Sequence, residues 1–182
     1  MFHRSERLFL RPAWPEDWED IYRGIADEGV ACNLASAPWP YEPEHACQYA
    51  AREQDPSLPS FLVTLPGAGV IGSAGIGIDG DTGKVQLGYW IARSHWGLGF
   101  ATEAARSVLL IAKAIGHKHL IASHFVDNPA SGKVLRKAGF RPTGQVRPGY
   151  SLARGRRDPV ACFEAVLDSE GDVGPQDMRQ AA

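Results

Sequence analysis

Apolar positions along this chain change period several times, and each change marks an element. Ala101, Ala104, Ala105, Val108, Leu109 and Ala112 recur at the spacing of one face of a 3.6-residue helix. An apolar run from Val85 to Ala92 leads into that helix, and another from Leu120 to Val126 follows it, with Gly116 as a terminator between them. Strand, helix and strand in so short a length favour a parallel strand pair with the helix packed across it. Val134, Leu135 and Ala138 give a second helix an apolar face. Asn128 and Pro129 suit its N-cap and first position, and Gly139 its end. The full pattern predicts strands at 6–11, 60–65, 69–79, 84–92, 119–126, 141–149 and 159–167, and helices near 16–28, 43–54, 99–115 and 129–138. Glycine-rich turns at 65–69 and 79–83 read as hairpin connections.

Composition narrows the class. A length of 182 residues fits one domain with a sizeable core, expected over 1–167, with a flexible tail at 168–182 where little can be buried. A net charge of −2 gives no reason to expect nucleic acid as a partner. No apolar run reaches membrane-spanning length, and the first residues lack a signal-peptide core, so no membrane partner is expected. Cys32, Cys47 and Cys162 are odd in number and unrelated in spacing, which predicts small buried thiols and a reducing cytoplasm. None sits in a ligand-like cluster, so no metal is expected. A homodimer is left open.

The segment Trp96-Gly97-Leu98-Gly99-Phe100-Ala101-Thr102-Glu103 lies between the strand and the long helix. Its two glycines let the backbone approach a ligand without a Cβ, and the helix start offers unpaired N–H groups and a positive dipole end. Together these suit a pyrophosphate. Thr102 and Glu103 in the first turn are candidates to serve those N–H groups instead. A dinucleotide fingerprint would need a third glycine where Thr102 stands and an acid about twenty residues on, where the chain is basic. The Gly-Lys-Ser/Thr of a phosphate loop is absent too.

Two stretches in order, GYWIARSHWGLGFATEA (88–104) and DNPASGKVLRKAGF (127–140), resemble the acetyl-CoA binding core of the GNAT acetyltransferase superfamily, in the branch of the ribosomal-protein N-terminal acetyltransferases. ERLFLRPAWPEDWEDIY (6–22) resembles that family's first strand and helix, and APWPYEPEHA (37–46) its substrate-side loop. The resemblance spans roughly residues 5–167. It implies an α/β (α+β) fold, a mixed, largely antiparallel sheet with a central parallel strand pair, flanked by helices. It also implies acetyl transfer from acetyl-CoA to a primary amine, either a peptide N-terminus or a small molecule, by direct transfer in a ternary complex.

By the same resemblance, main-chain groups of Trp90, Ile91 and Ala92 pair with the pantetheine arm. Gly97, Leu98, Gly99, Phe100, Ala101 and Thr102 hold the pyrophosphate. Asn128 meets the pantetheine amides, beside its alternative role as a helix cap. Lys133 and Arg136 face the ribose phosphate or form a solvated basic face. Ser131 is the candidate general acid, its alternative being a local cap. Many relatives carry a tyrosine seven residues after the motif asparagine, where this chain has Leu135. Relatives often place a glutamate where this chain has Gln86, so the base is open among His95, His124, Glu42 and Glu44. Trp39, Tyr41 and Gln86 are expected on the substrate side. An α-amine, with a reference pKa of about 7.7–8.0, is roughly a tenth neutral at pH 7, against about one part in 2,500 for a lysine amine. A chain without a placed carboxylate therefore favours an α-amine. The run Arg154, Arg156, Arg157 reads as a solvated hairpin tip or as a site for an acidic substrate. The alternative function is a weakly active or inactive module that binds acyl-CoA as a sensor or docking domain.

Overall fold

The computed structural model describes residues 1–167; the tail expected at 168–182 lies outside the described residues. One eight-stranded sheet runs through it, in the order β1-β2-β3-β4-β5-β6-β8-β7. The strands are β1 (His3–Arg4), β2 (Phe9–Arg11), β3 (Ser60–Leu65), β4 (Gly69–Ile78), β5 (Val85–Ile91), β6 (His119–Phe125), β7 (Arg141–Ser151) and β8 (Arg156–Val166). All neighbours are antiparallel except β5 and β6, the predicted parallel pair. Helices α4 (Phe100–Ala114) and α5 (Pro129–Ala138) cover the back of the sheet, where Leu87, Ala104, Val108, Leu120 and Leu135 share one core. Helices α1 (Trp18–Ile25), α2 (Glu28–Ala31) and α3 (Pro43–Ala51) cover part of the front, around Ile21, Tyr41, Leu62 and Trp90.

Period-2 alternation places each strand residue on one face. On β5, Leu87 and Ile91 enter the back core, while Trp90 enters the front core. Trp90 lies flush on α1, where a Cβ on Gly24 would stand 2.5 Å from its ring. The predicted ends of α4 and α5 hold: Gly116 (φ +98°) and Gly139 (φ +114°) leave the helices through the left-handed region that favours glycine.

Three expectations are corrected. The helix predicted over 16–28 breaks into a 3₁₀ turn (Pro15–Asp17), α1 and α2, because Asp27 is extended (φ −132°) and its carboxylate receives Arg93 Nε at 2.8 Å. The strand predicted to stop at 149 continues to Ser151, whose hydroxyl donates to Leu34 O (2.9 Å) and so docks the β7–β8 hairpin onto the front helices. The cysteines are not buried: Cys47 is exposed, Cys32 and Cys162 are half-buried, and all are free. Among the described residues, no helix is long and apolar enough to cross a membrane.

The central constraint is local. β5 is laddered to β4 from Val85 to Ile91, and β6 to β8 from His119 to Phe125, yet β5 and β6 share the single register pair Gln86–Ile121. Beyond it the strands part, and α5 closes the back of the gap. Leu135, 1% exposed at the base of that closure, is expected to cost about 2–5 kcal/mol of stability when replaced by alanine, measured by urea unfolding.

Candidate active site

At the C-terminal end of β5 the chain makes a 3₁₀ turn (Arg93–His95) and then the glycine segment. Gly97 (φ +77°) and Gly99 (φ +84°) both occupy the left-handed region, and a Cβ on Gly97 would meet no atom within 4 Å, so the space over the loop is open. Among the described residues, none of the N–H groups from Gly97 to Thr102 donates to a protein acceptor; the first that does is Glu103 N–H, to Gly99 O at 3.1 Å. Glu103 does not serve them as a cap. Its carboxylate is taken by Ser5 Oγ (2.8 Å), Arg7 N–H (2.7 Å) and Arg7 Nε (2.8 Å). Arg7 also donates to Leu98 O (3.0 Å) and lies over the Phe100 ring, so the loop is held without use of its N–H groups. These bonds hold the Glu103 carboxyl below its usual pKa despite the opposing effect of burial.

The seam between β5 and β6 leads away from this cradle. Ala92 N–H donates to Ile71 O, so by alternation the main-chain groups of Trp90 and Ala92 belong to the β4 ladder. Those of Tyr89 and Ile91, the latter among the three residues expected to pair with the pantetheine arm, face the seam. Ile91 O accepts from Trp96 Nε1 at 2.6 Å. Across the seam, Asn128 caps α5 by accepting Ser131 N–H at 3.2 Å, as its sequence position predicts. Ser131 Oγ stands 2.7 Å from the Tyr89 hydroxyl. Burial pushes the Tyr89 phenol up to about 12, with the Ser131 hydrogen bond working the other way. Sequence reading missed Tyr89; alternation assigns it to the back face, but only the parting of β5 from β6 puts its hydroxyl beside α5. Position 135 is buried leucine and offers no group to the site. Lys133 and Arg136 are exposed on α5, and Arg136 sits 5.3 Å over the Phe163 ring.

In front of the seam lies a cleft of about 890 Å³ between α3, the chain before it and the β7–β8 hairpin. Its floor carries Gln86, whose Nε2 donates to Ser123 Oγ at 3.0 Å, and the side-chain-free positions Gly77 and Gly88. Tyr41 lines it and is 6% exposed, its phenol raised to about 12 by burial. Trp39 does not: it is 40% exposed and outside the cleft lining. His124 lies beneath Gly132 of α5 and lines the cleft, and its Nδ1–H donates to Phe125 O at 2.7 Å, which leaves Nε2 as the acceptor nitrogen of the base candidate. His95, Glu42 and Glu44 are not in the lining. The cleft's carboxylates are Asp79 and Asp81, and both are bound by Arg147, Asp79 through both oxygens (2.9 and 3.0 Å). Arg157 takes Asp81 as well, and holds its pKa below the usual carboxylate range. The basic run is therefore paired within the chain: Arg154 pairs with Asp127 and Asp158, Arg156 with Asp158, and Arg157 with Asp81, with Arg156 and Arg157 still exposed. Among the described residues, no three His, Cys, Asp or Glu side chains are placed to hold a metal ion.

Residues 7–141 match the acetyltransferase (GNAT) domain family. An uncharacterized N-acetyltransferase, p20 of Bacillus licheniformis, is 33% identical over 96 residues, which cover 52% of this chain and about half, 53%, of that protein. The crystal structure of a ribosomal-protein-S5-alanine acetyltransferase from Vibrio fischeri superposes with a TM-score of 0.75 at 18% identity, over 93% of this chain and 98% of that one. The microcin C7 self-immunity acetyltransferase MccE, crystallised with acetyl-CoA and AMP, superposes with a TM-score of 0.74 at 16% identity, over 89% and 93%.

The buried phenols set an alkaline limit. Tyr89 titrates near 12 when folded and near 10 when unfolded, so the neutral form favours the folded state. Its contribution is complete below pH 10 and is lost as pH rises toward 12. Urea unfolding between pH 9 and 11.5 should show this fall, and Tyr89→Phe should make it shallower.

Proposed function

The chain belongs to the GNAT acetyltransferase family, and on that footing we propose that it moves the acetyl group of acetyl-CoA to a primary amine by direct transfer in a ternary complex. The observation that carries this reading is the row of unpaired N–H groups from Gly97 to Thr102, opening onto a seam where β5 and β6 leave main-chain groups unpaired. The residues fit the group. The N–H row would hold the pyrophosphate, each charge-assisted hydrogen bond contributing roughly 1.5–3 kcal/mol. Main-chain groups of Tyr89, the Ile91 N–H (its carbonyl being held by Trp96) and the Asn128 amide would hold the pantetheine arm, and Lys133 and Arg136 the ribose phosphate. Acetyl-CoA supplies the thioester whose acyl carbon an amine can attack.

Two tasks fall to the chain's own side chains. A proton must be held ready for the leaving thiolate, and the Ser131–Tyr89 pair is the hydroxyl couple at the seam able to hold it. The phenol stays protonated well above neutral pH, so it can back the serine as a donor. The amine must also arrive neutral. Among the described residues, no carboxylate in the cleft lining is free of arginine and Gln86 cannot take a proton, which leaves the imidazoles of His45 and His124 as the candidate bases of the lining, a poor match for a lysine-like amine. This supports an α-amine acceptor, about a tenth neutral at pH 7. No cysteine lines the cleft, which supports direct transfer over an acyl-enzyme.

Two outcomes are expected. Acetyl-CoA at about a hundred times its Kd should stabilise the fold by roughly 2.7 kcal/mol, read as a rise in Tm. Gly99→Asp puts a charged side chain at φ +84° in the cradle and should abolish that rise; unchanged binding by isothermal titration would refute the site. With a panel of amines and N-terminal peptides, Ser131→Ala should lower kcat about 10²-fold or more, and Tyr89→Phe by a smaller factor, with the KM for acetyl-CoA little changed. Tight acetyl-CoA binding without turnover on any amine would favour a sensor or docking module.

A further inference from the structure

The charges of the cleft are not all paired, and the charge left over has one location. Its lining carries two arginines, Arg52 and Arg147, and two carboxylates, Asp79 and Asp81. Arg147 is paired to both aspartates, and Arg157 reaches Asp81 from outside the lining. Arg52 has no carboxylate within ion-pair distance among the described residues. Its Nη2 donates instead to two neutral oxygens, Ser60 Oγ (2.5 Å) and Tyr49 OH (3.2 Å), and its guanidinium lies 4.0 Å over the Tyr49 ring. Tyr49 is fixed in turn by a 2.7 Å bond to Ser73, which is 4% exposed.

Arg52 is exposed to solvent, yet its side chain is held in place. Stacking and two hydrogen bonds fix the side chain, while among the described residues its Nε–H and Nη1 groups have no protein partner. A site built so has already met the ordering cost that an ion pair usually carries. An arginine fork matches the plane of a carboxylate.

Its distance from the seam is set by the sheet. Ser60, Gly75 and Gly88 lie in one row across β3, β4 and β5, so Arg52 stands about 10 Å, two strand spacings, from the edge of the seam. Along that row a Cβ on Gly75 would run into Ser60 and Pro59, whereas one on Gly88, or on Gly77 beside it, would meet no atom within 4 Å, so the floor is open on the seam side.

We propose that the acceptor is an amine carrying a carboxylate some 10 Å from its nitrogen, as in an acidic peptide N-terminus, and that Arg52 docks that carboxylate. The inference rests on the acetyl-transfer reading for the position of the amine. It assigns acidic recognition to Arg52 in place of the Arg154–Arg157 run, whose charges are bound to aspartates. It also ranks polyamines and other polycations as poor acceptors, since the cleft offers them no free carboxylate.

The test uses tetrapeptide amides with a free N-terminal alanine and a glutamate walked through positions two to four, each matched to its glutamine isostere. Spermidine serves as the cationic amine. kcat/KM is measured at saturating acetyl-CoA, and peptide Kd is measured on the complex with CoA. At one position glutamate should exceed glutamine by about tenfold or more, through KM and Kd, and added salt should weaken the preference. In Arg52→Gln the ratio should fall to about one, and in Arg52→Glu it should drop below one, with the acetyl-CoA rise in Tm retained as a check on the fold. Equal use of glutamate and glutamine peptides at every position, a preference that survives in Arg52→Gln, or spermidine outperforming every acidic peptide would overturn the proposal. Acid-selective binding that Arg52→Gln removes, seen without turnover, would uphold the docking site and refute acetyl transfer. Turnover without acid preference would do the reverse.

Discussion

Everything functional in this molecule follows from two strands that start together and do not stay together. β5 is fully laddered to β4, and β6 to β8, but the two meet only at Gln86 and Ile121. The sheet is thus two halves joined at one register pair. Past that point each strand presents main-chain groups to a gap instead of to a neighbour, and unpaired backbone groups away from water are costly. A ligand with amides of its own can satisfy them as an added strand would. The same parting lets Tyr89, a back-face residue, reach Ser131 on α5.

Around the gap, side chains hold what the ladder does not. Gln86 to Ser123 and Tyr89 to Ser131 cross it directly. Farther out, Arg147 and Arg157 clamp the β4–β5 turn to the β7–β8 hairpin, and Arg154 ties that hairpin to Cys32 O and Asp127. These bonds consume most of the local charge. They give each of Arg154, Arg156 and Arg157 an aspartate partner and leave Arg52 as the cleft arginine with none among the described residues. The Arg7–Glu103 pair does similar work at the cradle, fixing the loop through Leu98 O while leaving its N–H groups free.

Much of this was legible in the sequence, for local reasons. Helix caps, glycine turns and apolar periods depend on neighbours a few residues apart, so Asn128, Gly99, Gly116 and Gly139 declared their roles. The break at Asp27 did not, because it depends on Arg93, sixty-six positions away. Trp39 and Tyr41 look alike in the chain, yet one is exposed and the other packs against Tyr22 and His45.

By itself, then, the sequence determined the element order, the parallel pair, the glycine cradle and the capped helix beside it, since each is encoded by residue type at short spacing. Only the tertiary structure decided which main-chain groups face the seam, which hydroxyl partners Ser131, and which arginine of the cleft has no carboxylate among the described residues. Those depend on contacts between distant strands and helices, where pairing partners compete, and no local pattern records who wins.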